Sequence, residues 1–336
     1  MTMKAAVMKG PRQLVVEEVP KPKPAKEQVL VKMRYCGICG SDLHYYESEH
    51  TPPGSIMGHE WVGEVVSKGA GTTKWSVGDR VWPGVLHSSG WKWRPEYGWD
   101  RAALVRASRV KDMGGYGEYA VYHQDEVAGV PQEVADIEAV MADQAATALG
   151  GVRATQLQIG EGLLVVGAGP IGLWALRCGQ LAGANPICVA EILEGRAEIA
   201  RRMGADMVVN PTRTKVREEV AELFQGKGPE VVLECAGAPG ALQFAFDVTR
   251  PGGRIAAIGL SDHPIPISIW NLVIKAIKVY GVIDIDFAGG MEIIRHKKVN
   301  CRDFLTDIVP LEKITEAFER LLHPVDEEKI VIGYEQ

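Results

Sequence analysis

Two short stretches of this chain bring together groups that could bind a metal ion and move a proton. Cys36-Gly37-Ile38-Cys39-Gly40-Ser41-Asp42-Leu43-His44 supplies thiols, a hydroxyl, a carboxylate and an imidazole, and Gly58-His59-Glu60 adds a second imidazole and carboxylate. A thiolate and an imidazole are zinc ligands, and the hydroxyl and acids beside them are groups that orient ligands or pass protons. Cys36 and Cys39 also form a C-x-x-C pair. A closed zinc knuckle would need a second such pair, which the sequence lacks. A redox dithiol would open a helix after a strand in a thioredoxin-like unit, which this context does not resemble.

A third stretch points to a nucleotide. The apolar run Leu163-Leu164-Val165-Val166 enters Gly167-Ala168-Gly169-Pro170-Ile171-Gly172 and then a helical pattern, and Glu191 closes the next apolar run, Ile187-Cys188-Val189-Ala190. A bare G-x-G-x-x-G is often only a surface turn; strand before, helix after and acid beyond make it a dinucleotide fingerprint. In that role Gly167 allows the tight turn, Gly169 lets the backbone approach a pyrophosphate, and Gly172 lets helix and sheet pack closely. Pro170 and Ile171 open the helix whose free N–H groups face the anion. Glu191 would accept from an adenosine ribose and repel a 2′-phosphate, which favours NAD over NADP. The alternative is a solvated acid at a strand end.

The elements that must carry these groups differ between the two halves of the chain. Short alternating runs such as Val29-Leu30-Val31-Lys32-Met33 and Trp61-Val62-Gly63-Glu64-Val65-Val66, with a proline-rich turn at 20–24, predict a β-rich lobe with the metal motif on its loops. A helical period follows across 133–151, with Asp143 as its embedded acid. Beyond it, six apolar strand candidates alternate with helical segments, which predicts a doubly wound parallel sheet. The α/β fold class therefore divides into a lobe at 1–148 and 287–336 and a nucleotide-binding domain at 149–286. A length of 336 residues agrees with two domains.

A formal charge of −6 gives no electrostatic case for nucleic acid or an anionic membrane surface. No apolar run approaches the roughly 20 residues of a membrane span, no signal-peptide core opens the chain, and the scattered cysteines suit a reducing compartment, so a cytoplasmic protein is expected. One segment departs from the acidic whole: 84–116 carries Trp91, Trp93 and Trp99, and six basic residues against three acids. Either one of Arg101, Arg106 and Arg109 pairs with an anionic substrate group, or the segment is a solvated or subunit-contacting lobe.

With Gly78-Asp79-Arg80-Val81, Gly117-Glu118-Tyr119-Ala120 and the Pro251-Gly252-Gly253 turn added, the chain resembles the zinc-dependent medium-chain alcohol dehydrogenases along essentially its whole length. The resemblance implies a GroES-like catalytic domain and a Rossmann domain. It implies that Cys39, not Cys36, and His59 are zinc ligands, and that Glu60 lies beside the metal and binds it in some states. Asp143 stands where the family's variable third ligand is expected, as in its secondary-alcohol branch. Its alternative is a helix-surface carboxylate. Asp42 would fix the His59 tautomer, while Ser41 and His44 would relay the substrate proton. No cysteine lies between Asp79 and Tyr116, so the structural zinc of many members is absent and one catalytic zinc per subunit is expected.

The expected activity is hydride transfer between NAD and a secondary alcohol or polyol, or its ketone, in a homodimer or homotetramer. The other readings are an NADP-linked ketone or aldehyde reductase and a non-catalytic dinucleotide-binding protein.

Overall fold

A computed structural model describes residues 1–84, 114–261, 264–282, 286–296, 300–325 and 327–334. The basic, tryptophan-rich segment with Arg101, Arg106 and Arg109 lies outside the described residues. Internal contacts divide the chain into two units, Met1–Asp143 with Ile294–Gln336, and Gln144–Ile293. Each is an α/β or β-rich body with its own buried core.

In the first unit, β1 (Thr2–Gly10) and β2 (Gln13–Pro20) form an antiparallel pair. The main sheet is built on β3 (Gln28–Gly37), with β4 (Glu60–Lys68), β5 (Arg80–Trp82) and β7 (Ala128–Gly129) following on one side. The other edge of β3 is shared. Its first half pairs with β6 (Tyr119–His123), and its last residues pair with β15 (Ile330–Gly333), which is flanked by β14 (Asp307–Pro310). Alternating apolar residues of β3 and β4 fill the core, where Trp61 stacks on Tyr122 with ring centroids 4.5 Å apart. Each such fully buried large side chain contributes about 1.5–3 kcal/mol.

The second unit is a six-stranded, wholly parallel sheet. Its strands are β8 (Leu163–Val166), β9 (Ile187–Ala190), β10 (Met207–Val209), β11 (Val231–Glu234), β12 (Arg254–Ala257) and β13 (Lys278–Gly281). Their order is β10-β9-β8-β11-β12-β13, so the sequence direction reverses beside β8. Helices connect successive strands, and the apolar runs of β8, β9 and β11 are buried throughout, as both faces of a parallel sheet require, while the edge strand β13 is largely exposed. The switch in strand order beside β8 puts the glycine-rich turn where open α/β sheets hold ligands.

Among the described residues, no helix is long and apolar enough to cross a membrane. The helical pattern over 133–151 is two helices, Asp136–Ala139 and Ala142–Ala154. Val140 and Met141, both only 1% exposed, lie at the junction. Between the helices the Met141 N–H bonds to the Glu138 carbonyl three residues back at 3.0 Å, a tight turn that ends the first helix. The break leaves Asp143 in the first turn of the second helix.

Candidate active site

Strand register brings the metal-type residues together. Gly37, the last residue of β3, pairs with Glu60, the first of β4, and also with Val331 of β15. Cys39 lies just past the end of β3, His59 just before β4, and Lys329 just before β15. Three strand ends thus meet at one edge of the sheet. Cys39 then caps helix α1 (Gly40–Glu47), which carries Ser41, Asp42 and His44.

The ligand-type atoms of Cys39, His59 and Glu60 all lie within 4.8 Å of one another. Atoms sharing a zinc at roughly 2.0–2.3 Å lie somewhat closer than that, so this soft, borderline and hard donor set fits the ion with small side-chain adjustment. Asp143 is outside this three-residue group. It is nevertheless buried, and its carboxyl feels the charges of His59, Glu60, Lys329 and Asp42. Burial, with Glu60 adding to it, pushes its pKa to about 6.

Asp42 is fully buried and faces three groups. Its Oδ2 accepts from the Cys39 backbone N–H at 3.0 Å and from the Tyr116 hydroxyl at 2.6 Å, and its Oδ1 lies 3.4 Å from His59 Nδ1. Burial works to raise the Asp42 pKa, but His59, Tyr116 and the Cys39 N–H outweigh it and the pKa is lowered. A charged Asp42 on Nδ1 turns Nε2 toward the rest of the cluster. Ser41 Oγ lies 3.5 Å from that Nε2. Burial and Glu60 raise the Cys39 thiol, so in the metal-free chain deprotonation of this sulfur is opposed by its surroundings. A bound dication reverses that balance, because ligand deprotonation and metal binding are linked. Cys36, by contrast, is fully buried in the core and its thiol is raised well above the ordinary range, chiefly by burial.

Two residues here were invisible to sequence reasoning. Tyr116 ties Asp42 to the end of β3, its hydroxyl also lying 3.3 Å from the Gly37 carbonyl. Lys329 is buried, donates to the Ile38 carbonyl at 2.7 Å and forms an ion pair with Glu60 Oε2. Neither belongs to a motif. The one weak signal was a lysine directly preceding the apolar strand Ile330-Val331-Ile332.

In the second unit the glycine-rich turn links β8 to the helix Pro170–Leu181. Gly167 has φ +91° and packs against Ala236, and a side chain on Gly172 would collide with the Gly167 carbonyl. Gly169 caps the helix, with Pro170 in its first turn and Ile171 after it, which leaves backbone N–H groups pointing outward. Glu191 follows the last residue of β9 and is buried. Its Oε2 accepts from the Ala168 N–H at 2.6 Å and its Oε1 from the N–H groups of Ile192 and Leu193 at 2.7 and 2.8 Å. The acid expected at a strand end thus also fastens the glycine-rich turn, a function its sequence position did not disclose. At the end of β11, Glu234 binds the N–H groups of Ala236 and Gly237 in the same manner, both at 2.8 Å.

Comparison with known proteins accounts for both units. The family model for the alcohol dehydrogenase GroES-like domain matches residues 25–132, and that for zinc-binding dehydrogenase matches 170–289. The chain is 32% identical over 331 residues to the sorbitol dehydrogenase of Bacillus subtilis strain 168, covering 95% of this chain and 94% of that protein. It is 35% identical over 281 residues to the L-threonine 3-dehydrogenase of Pyrococcus furiosus, covering 80% and 79% of the two chains. Its fold matches an alcohol dehydrogenase from E. coli CFT073 complexed with NADH, with a TM-score of 0.87, 26% identity and 99% coverage of each chain.

Proposed function

Since the chain belongs to the zinc-dependent medium-chain alcohol dehydrogenase family, we propose that it is an NAD-linked dehydrogenase of a secondary alcohol or polyol. The observation that carries the proposal is the grouping of Cys39, His59 and Glu60 at the joined ends of β3 and β4. The sorbitol and L-threonine 3-dehydrogenases among its relatives both act on compounds with a secondary hydroxyl, which supports this substrate class.

Cys39 and His59 would hold a single zinc, with the carboxylates of Glu60 and Asp143 beside it. When bound, the ion supplies the Lewis acidity that acidifies a hydroxyl or, in reverse, polarises a carbonyl, and hydride transfer is the chemistry of the nicotinamide. Asp42, 3.4 Å from His59 Nδ1, holds the tautomer in which Nε2 would be free to bind a metal. Ser41, 3.5 Å from that nitrogen, takes the proton released by the substrate, and His44, one turn of α1 further on, passes it toward solvent. Gly167, Gly169, Pro170, Ile171 and Gly172 would cradle the pyrophosphate, and Glu191 would receive the ribose hydroxyls with its remaining acceptor capacity.

A second reading, an NADP-linked reductase, has one observation in its favour. Arg196 Nη1 lies 3.5 Å from where a Cβ on Gly169 would stand, which puts a guanidinium beside the glycine-rich turn. Initial rates with a panel of secondary alcohols, sugar alcohols and β-hydroxy amino acids, each with NAD and with NADP, separate the two. NAD reduction with a polyol supports the first; strong NADP preference would overturn the use made of Glu191.

A homodimer or homotetramer belongs to the same proposal, supported by Trp270, Val273 and Ile274, which expose 73%, 66% and 64% of their surfaces on one short helix. Light scattering that returns the mass of one chain would contradict it. A cytoplasmic setting is proposed with it, and recovery of the tagged chain from a membrane or secreted fraction would exclude it.

A further inference from the structure

Glu60 stands between the Cys39 and His59 ligand atoms on one side and the Lys329 ammonium on the other. Its Oε2 pairs with the Lys329 ammonium, and both side chains are almost entirely removed from water. The same ammonium donates to the carbonyl of Ile38, the residue before Cys39, at 2.7 Å. Lys329 is therefore fastened to the backbone that presents the thiol while it grips the carboxylate beside it. The placement is built in by register, because β15 and β4 both pair with Gly37. Space for the pair depends on that glycine: a Cβ there would lie 2.6 Å from Glu60 Oε2 and 2.7 Å from Lys329 Cε. Burying a lysine costs several kcal/mol unless it is paired, so a lysine in this position is committed to the anions around it.

We propose that Lys329 is a positioning residue for the metal centre, restraining Glu60 by charge and hydrogen bond so that the carboxylate does not close onto the ion and one position of the site stays open. This rests on the metal reading given above. Catalytic zinc sites are distinguished from structural ones by that open position. A mobile carboxylate beside three or fewer protein ligands would fill it. With the ammonium in place, Glu60 is shared between two cations and is a weaker ligand. Without it, Glu60 loses the ammonium that competes with the metal for its charge.

The consequence is a sign that distinguishes restraint from packing. If Lys329 restrains Glu60, its removal strengthens metal binding and weakens substrate binding. If Lys329 only fills space, its removal loosens the site and weakens both.

The test uses the full-length chain as wild type, Lys329→Met, Lys329→Arg, Glu60→Gln and the Glu60→Gln/Lys329→Met double variant. Zn2+ and Co2+ affinities are measured by chelator competition, together with the Co2+ absorption spectrum and KM for the best alcohol. Lys329→Met is expected to bind metal about tenfold tighter, a gain of about 1.4 kcal/mol. Its Co2+ ligand-field bands should shift and its KM rise about tenfold. Lys329→Arg, which keeps the charge, should return all three to within about threefold of wild type. In the Glu60→Gln background, loss of Lys329 should change metal affinity less than about twofold, because the effect runs through Glu60.

Weaker metal binding in Lys329→Met, or the same change in both backgrounds, overturns the proposal. If Lys329→Met does not fold, Lys329→Arg decides: loss of substrate binding with the charge retained overturns it as well. A wild-type chain that binds neither Zn2+ nor Co2+ would instead overturn the metal reading itself.

Discussion

Asp143 offers a prediction whose sign reverses with the metal. Its carboxyl is buried to within 8% of full enclosure, and burial, reinforced by Glu60, moves its pKa from 3.8 to about 6 in the metal-free chain. In the unfolded chain it titrates near the ordinary value, so between about pH 4 and pH 6 the native state binds the extra proton. Stability of the metal-free protein therefore falls as pH rises through that window, and the full cost is present above it. About two units at 1.36 kcal/mol each give about 3 kcal/mol. Asp143→Asn removes the term while nearly preserving shape. With EDTA at pH 8, urea denaturation of the variant should show it more stable than wild type by up to about 3 kcal/mol, with little difference at pH 4. With saturating zinc the order should invert, because the native chain then gains from a carboxylate near the cation. A variant that is no more stable than wild type at pH 8 without metal, or whose advantage survives zinc, would refute the reasoning.

Three further outcomes follow from single contacts. Asp42→Asn leaves one carbonyl oxygen to serve Cys39 N–H, Tyr116 and His59, and the loss should weaken zinc binding about 10–100-fold in chelator competition. Gly37→Ala forces a methyl into the Glu60–Lys329 pair and should cost about 1–3 kcal/mol in denaturant melts, accompanied by altered metal affinity. Glu191→Ala frees the N–H groups of Ala168, Ile192 and Leu193 at once; NAD affinity should drop about tenfold by fluorescence titration while NADP affinity falls less. A variant with unchanged NAD affinity would show that the clamp on the glycine-rich turn is dispensable.

What the sequence disclosed was local, and what it concealed was long-range. Cys39, Ser41 and Asp42 are legible because one turn of helix at the end of a strand fixes their relative positions, and the glycine-rich turn because its strand, turn and helix are consecutive. His59 and Glu60 needed only one antiparallel pairing to reach them. Lys329 came into the site through β15, and its hydrogen bond to Ile38 spans 291 positions of sequence, for which no period or motif exists. Glu191 is legible as the acid that follows β9, yet its bonds to Ala168 and Leu193 depend on how two loops lie together. The helix break before Asp143 leaves no mark in the sequence, because the apolar residues keep a helical period through the tight turn at Val140 and Met141.

The most direct test of the central claim is the metal content of chain purified without chelator, compared with Cys39→Ser and assayed alongside for NAD reduction by a secondary alcohol. About one zinc per chain in the wild type is predicted, with both metal and activity lost in the variant. A zinc-free wild-type chain that still reduces NAD with that alcohol, or a Cys39→Ser variant that keeps its zinc, would contradict the account.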